Sequence, residues 1–331
     1  MKKLAALAVG LALAGVAGYL WFDAAATRPG WREGYVLFEA RRGESARAVG
    51  RRLMDDGAIR SAMVFEMEVR RAGGEVKAGE YRFAGESSIR QIARLLISGK
   101  TWARPVTIRE GLTIAQVAEE LEKAGVAPAM EFISTASDVA TRMRQKGFPG
   151  ASLEGYLFPE TYHFAKSTPV KTVVETMLST FRRKAAQALP EEAMADPLRL
   201  HQLVTMASII EKETGAGFER PLISAVFHNR LKIGMPLQSD PTVIYSLPDF
   251  DGNIRKKDLS YDSPYNTYRY RGLPPGPIAN PGIDSLSAAW APAPVDYLYF
   301  VSKNNGEHYF SKSLQEHNKA VLTFQIRPGR K

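Results

Sequence analysis

The sequence predicts an α+β protein: one apolar N-terminal helix, a small α/β repeat region, then a larger mixed α+β region. Three features carry this. Leu4–Phe22 is a run of nineteen residues without a charge. Two segments 68 residues apart each read as strand, glycine turn, Ser/Thr cap and helix. Leu200–Gly215, LHQLVTMASIIEKETG, repeats apolar residues at the helical period and places two carboxylates near its end. With 331 residues, 45% hydrophobic and 24% charged, the chain is long enough for two domains with their own cores. A net charge of +9 points to a polyanionic partner: nucleic acid, anionic lipid or an acidic polymer. The lack of cysteine excludes disulfides and thiol catalysis but leaves the compartment open.

Residues 1–27 read as a cytoplasmic stub and a transmembrane anchor. As a helix, Leu4–Phe22 spans roughly 28 Å, enough for the hydrocarbon core of a bilayer. Lys2 and Lys3 suit the cytoplasmic side, and Tyr19 and Trp21 the far interface. The alternative is a cleavable signal peptide, with Ala24-Ala25-Ala26 as the small-residue site. The apolar run is longer than a usual signal core, which favours a retained anchor. Either way the remainder is exported, so nucleic acid drops out as a partner. The charge then points to the membrane surface or the cell wall.

Residues 28–127 hold the repeats. In Val36–Gly57 and Val106–Gly125, Gly43, Ser45, Val49, Leu53 and Gly57 match Gly111, Thr113, Val117, Leu121 and Gly125. Each unit is a short alternating strand, a glycine turn, a cap, and a helix with apolar residues at i, i+4 and i+8, closed by glycine. A looser third copy runs through Ser88, Ile92, Leu96 and Gly99. Units of this kind resemble LysM modules, which bind N-acetylated glycans; the plain alternative is an α+β platform without a ligand.

Residues 128–331 read as the catalytic region, with the chemistry mainly in 200–310. Leu153–Phe164, LEGYLFPETYHF, is dense in aromatics, and Pro159 makes it a packed loop or edge strand rather than a helix. Lys166–Asp196 is a helical cover ending near Pro190. In the 200–215 helix, Leu200, Leu203, Val204, Met206, Ala207 and Ile210 form one apolar stripe. Lys212 lies opposite, and Glu211 and Glu213 flank the edges. An edge position half in an apolar wall raises a carboxyl's pKa and suits it to donate a proton near neutrality. Glu213 lies nearer the C-terminal, negative end of the helix dipole, which also favours its protonated form. The plain alternative is two exposed surface glutamates. A second amphipathic helix follows in Leu222–Leu231, then a loop, GMPLQSDPTVIY, over Gly234–Tyr245. SPYNTY (Ser263–Tyr268) and GLPPGPIANPG (Gly272–Gly282) are fixed loops, the latter with four prolines and three glycines. Tyr297–Val301 reads as a buried strand with its hairpin return in Gly306–Ser311, and a last helix covers roughly 313–324. The five histidines show no ligand spacing, so neither metal nor cofactor is expected; His228 reads as structural.

ASIIEKET (Ala207–Thr214), the NRL and GMPLQSDPTVIY run, SPYNTY, GLPPGPIANPG, YLYFV and LEGYLFPETY together resemble the endolytic murein transglycosylase, or YceG-like, family over nearly the whole chain. The resemblance implies a membrane helix, a LysM-like region and a catalytic domain with a lysozyme-like catalytic helix. It implies cleavage of peptidoglycan glycan strands between N-acetylmuramic acid and N-acetylglucosamine, leaving 1,6-anhydro ends and ending strand elongation. It places the chain in the inner membrane as a single-pass protein with its catalytic domain in the periplasm, with peptidoglycan synthases as candidate partners. The family's catalytic glutamate maps onto Glu213, leaving Glu211 as a supporting residue. MPLQ and PYN echo stretches of other lytic transglycosylases, which puts Gln238 and Asn266 in the cleft as binders of acetamido or hydroxyl groups, with Tyr265 and Tyr268 as stacking platforms. Two other readings stay open. One is a hydrolase using Asp240 or Glu219 as a second carboxylate; the other is a non-enzymatic glycan-binding scaffold.

Overall fold

The computed structural model describes residues 2–166 and 168–326. The chain divides into two compact units: one runs up to Arg104 and includes His163–Thr168, and the other comprises Pro105–Tyr162 and the residues from Pro169 on.

The first unit opens with α1 (Lys2–Thr27), long and apolar enough to cross a membrane. Its leucines and valines are exposed, but Phe22 and Ala26 in its last turns are buried. Asp23 on the same end accepts from Arg90 at 2.7 Å, and Arg90 also meets Glu68 at 2.9 Å. The end of the apolar helix is therefore part of this unit's core. In β1 (Tyr35–Ala40) every second residue, Val36, Phe38 and Ala40, faces inward, the period-2 pattern of a half-buried strand. Then come α2 (Ala46–Asp55), α3 (Ala62–Arg71), β2 (Gly79–Ala84) and α4 (Ile89–Ser98). β1 and β2 pair antiparallel, with Val36 opposite Phe83 and Phe38 opposite Tyr81. Side-chain caps start the three helices: Ser45, Ser61 and Ser88 each accept a backbone N–H of the first turn. Val49, Leu53, Phe65, Tyr81, Ile92 and Leu96 fill the core.

β3 (Ala103–Thr107) and a later strand, β4 (Thr161–Ala165), carry the chain across the division. After β3 comes α5 (Ile114–Lys123), started by a Thr113–Gln116 capping box. The expected repeat is thus present as local geometry. Gly43 and Gly111 take left-handed φ of 79° and 75°, a hydroxyl cap follows two residues later, and Gly57 and Gly125 close the units at 67° and 66°. The looser copy has the same form, with Ser88 as cap and Gly99 at 70°.

The second unit continues with α6 (Ala129–Arg144), α7 (Val170–Ala188), α8 (Glu191–Ala195), α9 (Pro197–Glu213), α10 (Arg220–Lys232), α11 (Asp240–Ser246), α12 (Ile283–Trp290), the hairpin β5 (Tyr299–Ser302) and β6 (His308–Ser311), and α13 (Leu314–Val321). The 153–159 stretch is a buried loop whose aromatics, Tyr156 and Phe158, belong to the core. One departure from the sequence reading concerns α9. Every residue from Leu203 to Ile210 is buried, so this middle part of the helix is enclosed on all sides rather than along one stripe. Its polar residues fit because they are satisfied locally: Thr205 donates to His201 O at 2.8 Å, and Ser208 donates to Thr205 O at 2.7 Å and accepts Ile278 N–H at 3.0 Å. The proline-rich loop supplying Ile278 is likewise packed inside, with residues 276–282 buried. In this unit α6, α11 and α12 have no counterpart in the sequence reading: α11 interrupts the expected loop from Asp240 on, and α12 directly follows that proline-rich loop.

Candidate active site

Glu213 is the last residue of α9, and Thr214 closes the helix by donating its hydroxyl to Ile210 O at 2.6 Å. Ser239 Oγ donates to Glu213 Oε1 at 2.6 Å. Burial, with the nearby charge of Asp240 adding to it, pushes the Glu213 carboxyl up to about 7; the Ser239 hydrogen bond and the charge of Arg230 oppose the rise. Part of the residue stays accessible. Glu213 is therefore a carboxylic acid that keeps its proton to neutrality and can present it.

Ser239 is held by a buried knot of hydroxyls. Its N–H donates to Thr267 Oγ1 at 3.0 Å, its carbonyl accepts Thr242 Oγ1 at 2.6 Å, and Thr242 and Thr267 share a 2.9 Å hydrogen bond. The preceding residue, Gln238, lies in the left-handed region at φ 52°, an unfavourable conformation for a residue with a Cβ. This turn aims Ser239 inward at Glu213 and leaves the Gln238 side chain exposed. Asp240 accepts the Tyr268 hydroxyl at 2.5 Å. Glu213, Gln238, Asp240 and Tyr268 are thus gathered around one loop.

The remaining sequence-derived residues sit differently. Glu211 faces away as a brace: it meets Arg220 at 3.3 Å and accepts Gly282 N–H at 2.9 Å, tying α9 to α10 and to the start of α12. Asn266 is wholly enclosed, at 0% exposure. Its Nδ2 donates to Leu259 O and Tyr261 O at 3.0 and 2.7 Å, and its Oδ1 accepts Tyr268 N–H at 2.9 Å. The expected contact with substrate is replaced by a backbone clamp, because both ends of the amide are spent on the loop that carries Tyr268. Tyr265 packs against Tyr245, ring centroids 5.0 Å apart.

Residues 38–323 match the YceG-like family. The chain belongs to that family. Among its relatives, an endolytic murein transglycosylase of Bacillus subtilis is 36% identical over 294 residues, covering 84% of this chain and 81% of that protein. An endolytic murein transglycosylase of Streptococcus pneumoniae is 28% identical over 327 residues; the match covers 87% of this chain but only 58% of that longer protein. The crystal structure of a yceG-like protein from Listeria monocytogenes superposes with a TM-score of 0.61 at 34% identity, covering 87% of this chain and all of that one.

In this YceG-like chain a second carboxyl, Glu154, lines a cleft of about 800 Å³ together with Ile114, Lys212, Pro241, Tyr245 and Phe250. Glu154 is 4% exposed, and burial pushes it too up to about 7. It accepts Ile114 N–H at the start of α5 (3.1 Å), Asn280 Nδ2 (3.2 Å) and Tyr245 OH (3.3 Å), so its acceptor capacity is already engaged. Sequence reasoning passed over Glu154 and Thr267, and it placed Ser239 in the cluster before Pro241 without giving it a role. The signal for Glu154 is its charge inside the apolar run LEGYLF, where a buried, fully bonded acid is the physical solution. For Ser239 and Thr267 no periodicity speaks. Another groove of about 560 Å³, between α6 and α7, is flanked by Arg142, Lys146, Lys171 and Arg182 and shares no residue with the Glu213 set. Among the described residues no three His, Cys, Asp or Glu side chains cluster as metal ligands would.

Proposed function

We propose that this protein is a membrane-anchored lytic transglycosylase that cuts peptidoglycan glycan strands internally, with Glu213 as its acid and base. The carrying observation is a single carboxyl at the end of a buried helix, held by Ser239 and kept protonated to about 7. Glu213 gives its proton to the glycosidic oxygen leaving C1 of N-acetylmuramic acid, and the C1–O bond breaks. The same sugar's C6 hydroxyl closes onto C1, and its proton returns to Glu213. No water is consumed, so a second carboxylate is not needed, in contrast to ordinary glycosidases. The names carried by the Bacillus and Streptococcus relatives support the same reaction.

The two carboxylates that a hydrolase would use are otherwise engaged. Glu219 is buried and bound to His308 N–H and Nδ1 at 2.8 and 2.7 Å, and Asp240 holds Tyr268. Gln238 and Tyr268 are the groups we assign to the sugar, and Tyr265 to the adjoining wall. We further assign residues 1–27, apart from the last turns that pack into the first unit's core, to an inner-membrane anchor with the rest in the periplasm, 28–127 to a LysM-like region that holds the strand, and 128–331 to a catalytic domain whose α9 acts like the acid-bearing helix of lysozyme. Chain termination beside a synthase fits an anchored enzyme of this kind. The test is Glu213→Gln on isolated glycan strands, with anhydro ends counted by mass. Loss of those ends is expected; water-derived reducing ends from wild type would instead establish hydrolysis, and undiminished cleavage by the variant would exclude Glu213.

A further inference from the structure

Arg230, on α10, is 7% exposed, yet its guanidinium bonds to carbonyls rather than to an acid. Nε donates to Leu298 O at 2.7 Å, and Nη1 donates to Leu237 O at 2.6 Å and to Pro236 O at 3.4 Å. Its charge lies 5.4 Å from the centre of the Tyr299 ring. A buried cation ordinarily has a carboxylate partner, since removing it from water is costly. The ionisable groups bearing on Arg230 are Tyr299 from β5, Tyr268 from the loop, and Glu213 from α9; Glu213 is the carboxyl among them. His317 of α13, half-buried, is held below the usual histidine range by that partial burial and by the same positive charge.

Two consequences of this placement meet at Glu213. Leu237, whose carbonyl Arg230 holds, lies two residues before Ser239, the donor to Glu213. The guanidinium therefore pins the stem of the left-handed turn that aims Ser239. Its charge also acts on Glu213, favouring the ionised carboxyl, and the carboxyl acts back on the guanidinium. We propose that Arg230 is the positioning residue and internal counter-charge of Glu213: it fixes the 236–240 loop against the end of α9 and stabilises the carboxylate formed during the reaction. This rests on Glu213 being the acid. Around Glu213 the opposing charge is that of Asp240 at the start of α11, which disfavours a second negative charge and itself accepts the Tyr268 hydroxyl. Among the described residues, Arg230 is the cation set against it.

The test compares detergent-solubilised full-length wild type, Arg230→Gln and Arg230→Lys on isolated glycan strands, following kcat/KM for anhydro-end formation against pH. Glutamine keeps a donor for Leu237 O and drops the charge; lysine keeps the charge with fewer donors. For Arg230→Gln the alkaline limb should move upward by about half to one pH unit, because an acid without its counter-charge loses its proton later. Its plateau should fall roughly 10-fold, since a weaker acid transfers its proton less readily. Arg230→Lys should melt earlier but keep the limb where wild type has it. A glutamine variant with a lowered plateau and an unmoved limb would overturn the counter-charge. If Arg230→Gln does not fold, the lysine variant decides: a limb displaced as far as that expected for glutamine refutes the proposal, and an unmoved one supports it. Undiminished cleavage by Glu213→Gln would instead sink the assignment of the acid itself.

Discussion

Replacing Glu213 by glutamine should make the protein more stable, and only above a defined pH. The carboxyl is raised from 4.5 to about 7 in the folded chain, mainly by burial. Between those values the native state holds a proton that the unfolded chain has released, so stability falls as pH rises through this window. Below it Glu213 costs nothing; above about 7 the full penalty is present. The gap between 4.5 and about 7, at about 1.4 kcal/mol per pH unit, sets an upper figure of about 3.5 kcal/mol. Relaxation around the charge reduces this, so about 2 kcal/mol is the expected gain for Glu213→Gln at pH 8.5, and close to none at pH 4.5. For a unit of this size the gain corresponds to a melting temperature higher by about 4–8 °C. The assay is thermal unfolding of wild type and variant across pH 4.5–8.5, read beside cleavage, which the variant should lose by about 10²–10⁴-fold. Two melting curves that run parallel over the whole range would refute the reasoning, because they would mean that the carboxyl is solvated and has no cause to hold its proton. A stabilised but inactive variant is the expected signature of a site strained for function.

Asn266→Ala removes a clamp with three backbone bonds from an enclosed position, so it should cost about 2–4 kcal/mol of stability while the rate per folded molecule stays close to wild type; melting temperature and active-site-normalised turnover on one preparation separate the two. Ser239→Ala removes the hydrogen bond that favours ionised Glu213, so the alkaline limb of activity should shift upward, and a limb that does not move would show that the bond is indifferent to protonation. Glu154→Gln should flatten a further part of the pH dependence of stability between 4.5 and about 7, visible as a smaller loss of melting temperature on going from pH 5 to 8 than in wild type. Removing residues 1–20 should leave the first unit folded, whereas removing 1–27 strips Phe22 and Ala26 from its core and should cost about 3–5 kcal/mol by analogy with large core truncations; chemical denaturation of the two truncated proteins decides it.

How much of this was legible from the chain follows from which forces are local. Caps and closing glycines are set by neighbours within a turn, so the repeat of Gly43, Ser45 and Gly57 at Gly111, Thr113 and Gly125 could be read directly and appears in the backbone as left-handed turns and hydroxyl caps. The burial of α9 could not be read the same way. Periodicity assumes one wet face, and Thr205 and Ser208 mimic that face while bonding internally. The same limit explains Glu211 and Asn266. Both were sound as chemistry, but their partners, Arg220 and Gly282 in one case and the carbonyls of Leu259 and Tyr261 in the other, come from packing that no spacing encodes.

The enclosure of α9 is what makes its last residue useful. A carboxyl in mid-helix, buried among Val204, Ala207 and Ile210, could not reach a substrate. One a turn beyond the core would be solvated and ionised at neutral pH. Glu213 stands between these cases: its helix is buried from Leu203 to Ile210, and its carboxyl meets the 236–240 loop where that packing ends. That loop carries the strain of the left-handed Gln238, and Arg230 of α10, a desolvated cation, holds the loop by its carbonyls. Strain and an unpaired cation next to a carboxyl that keeps its proton are difficult to explain as packing alone, and a reaction that removes and returns that proton gives all three a common reason.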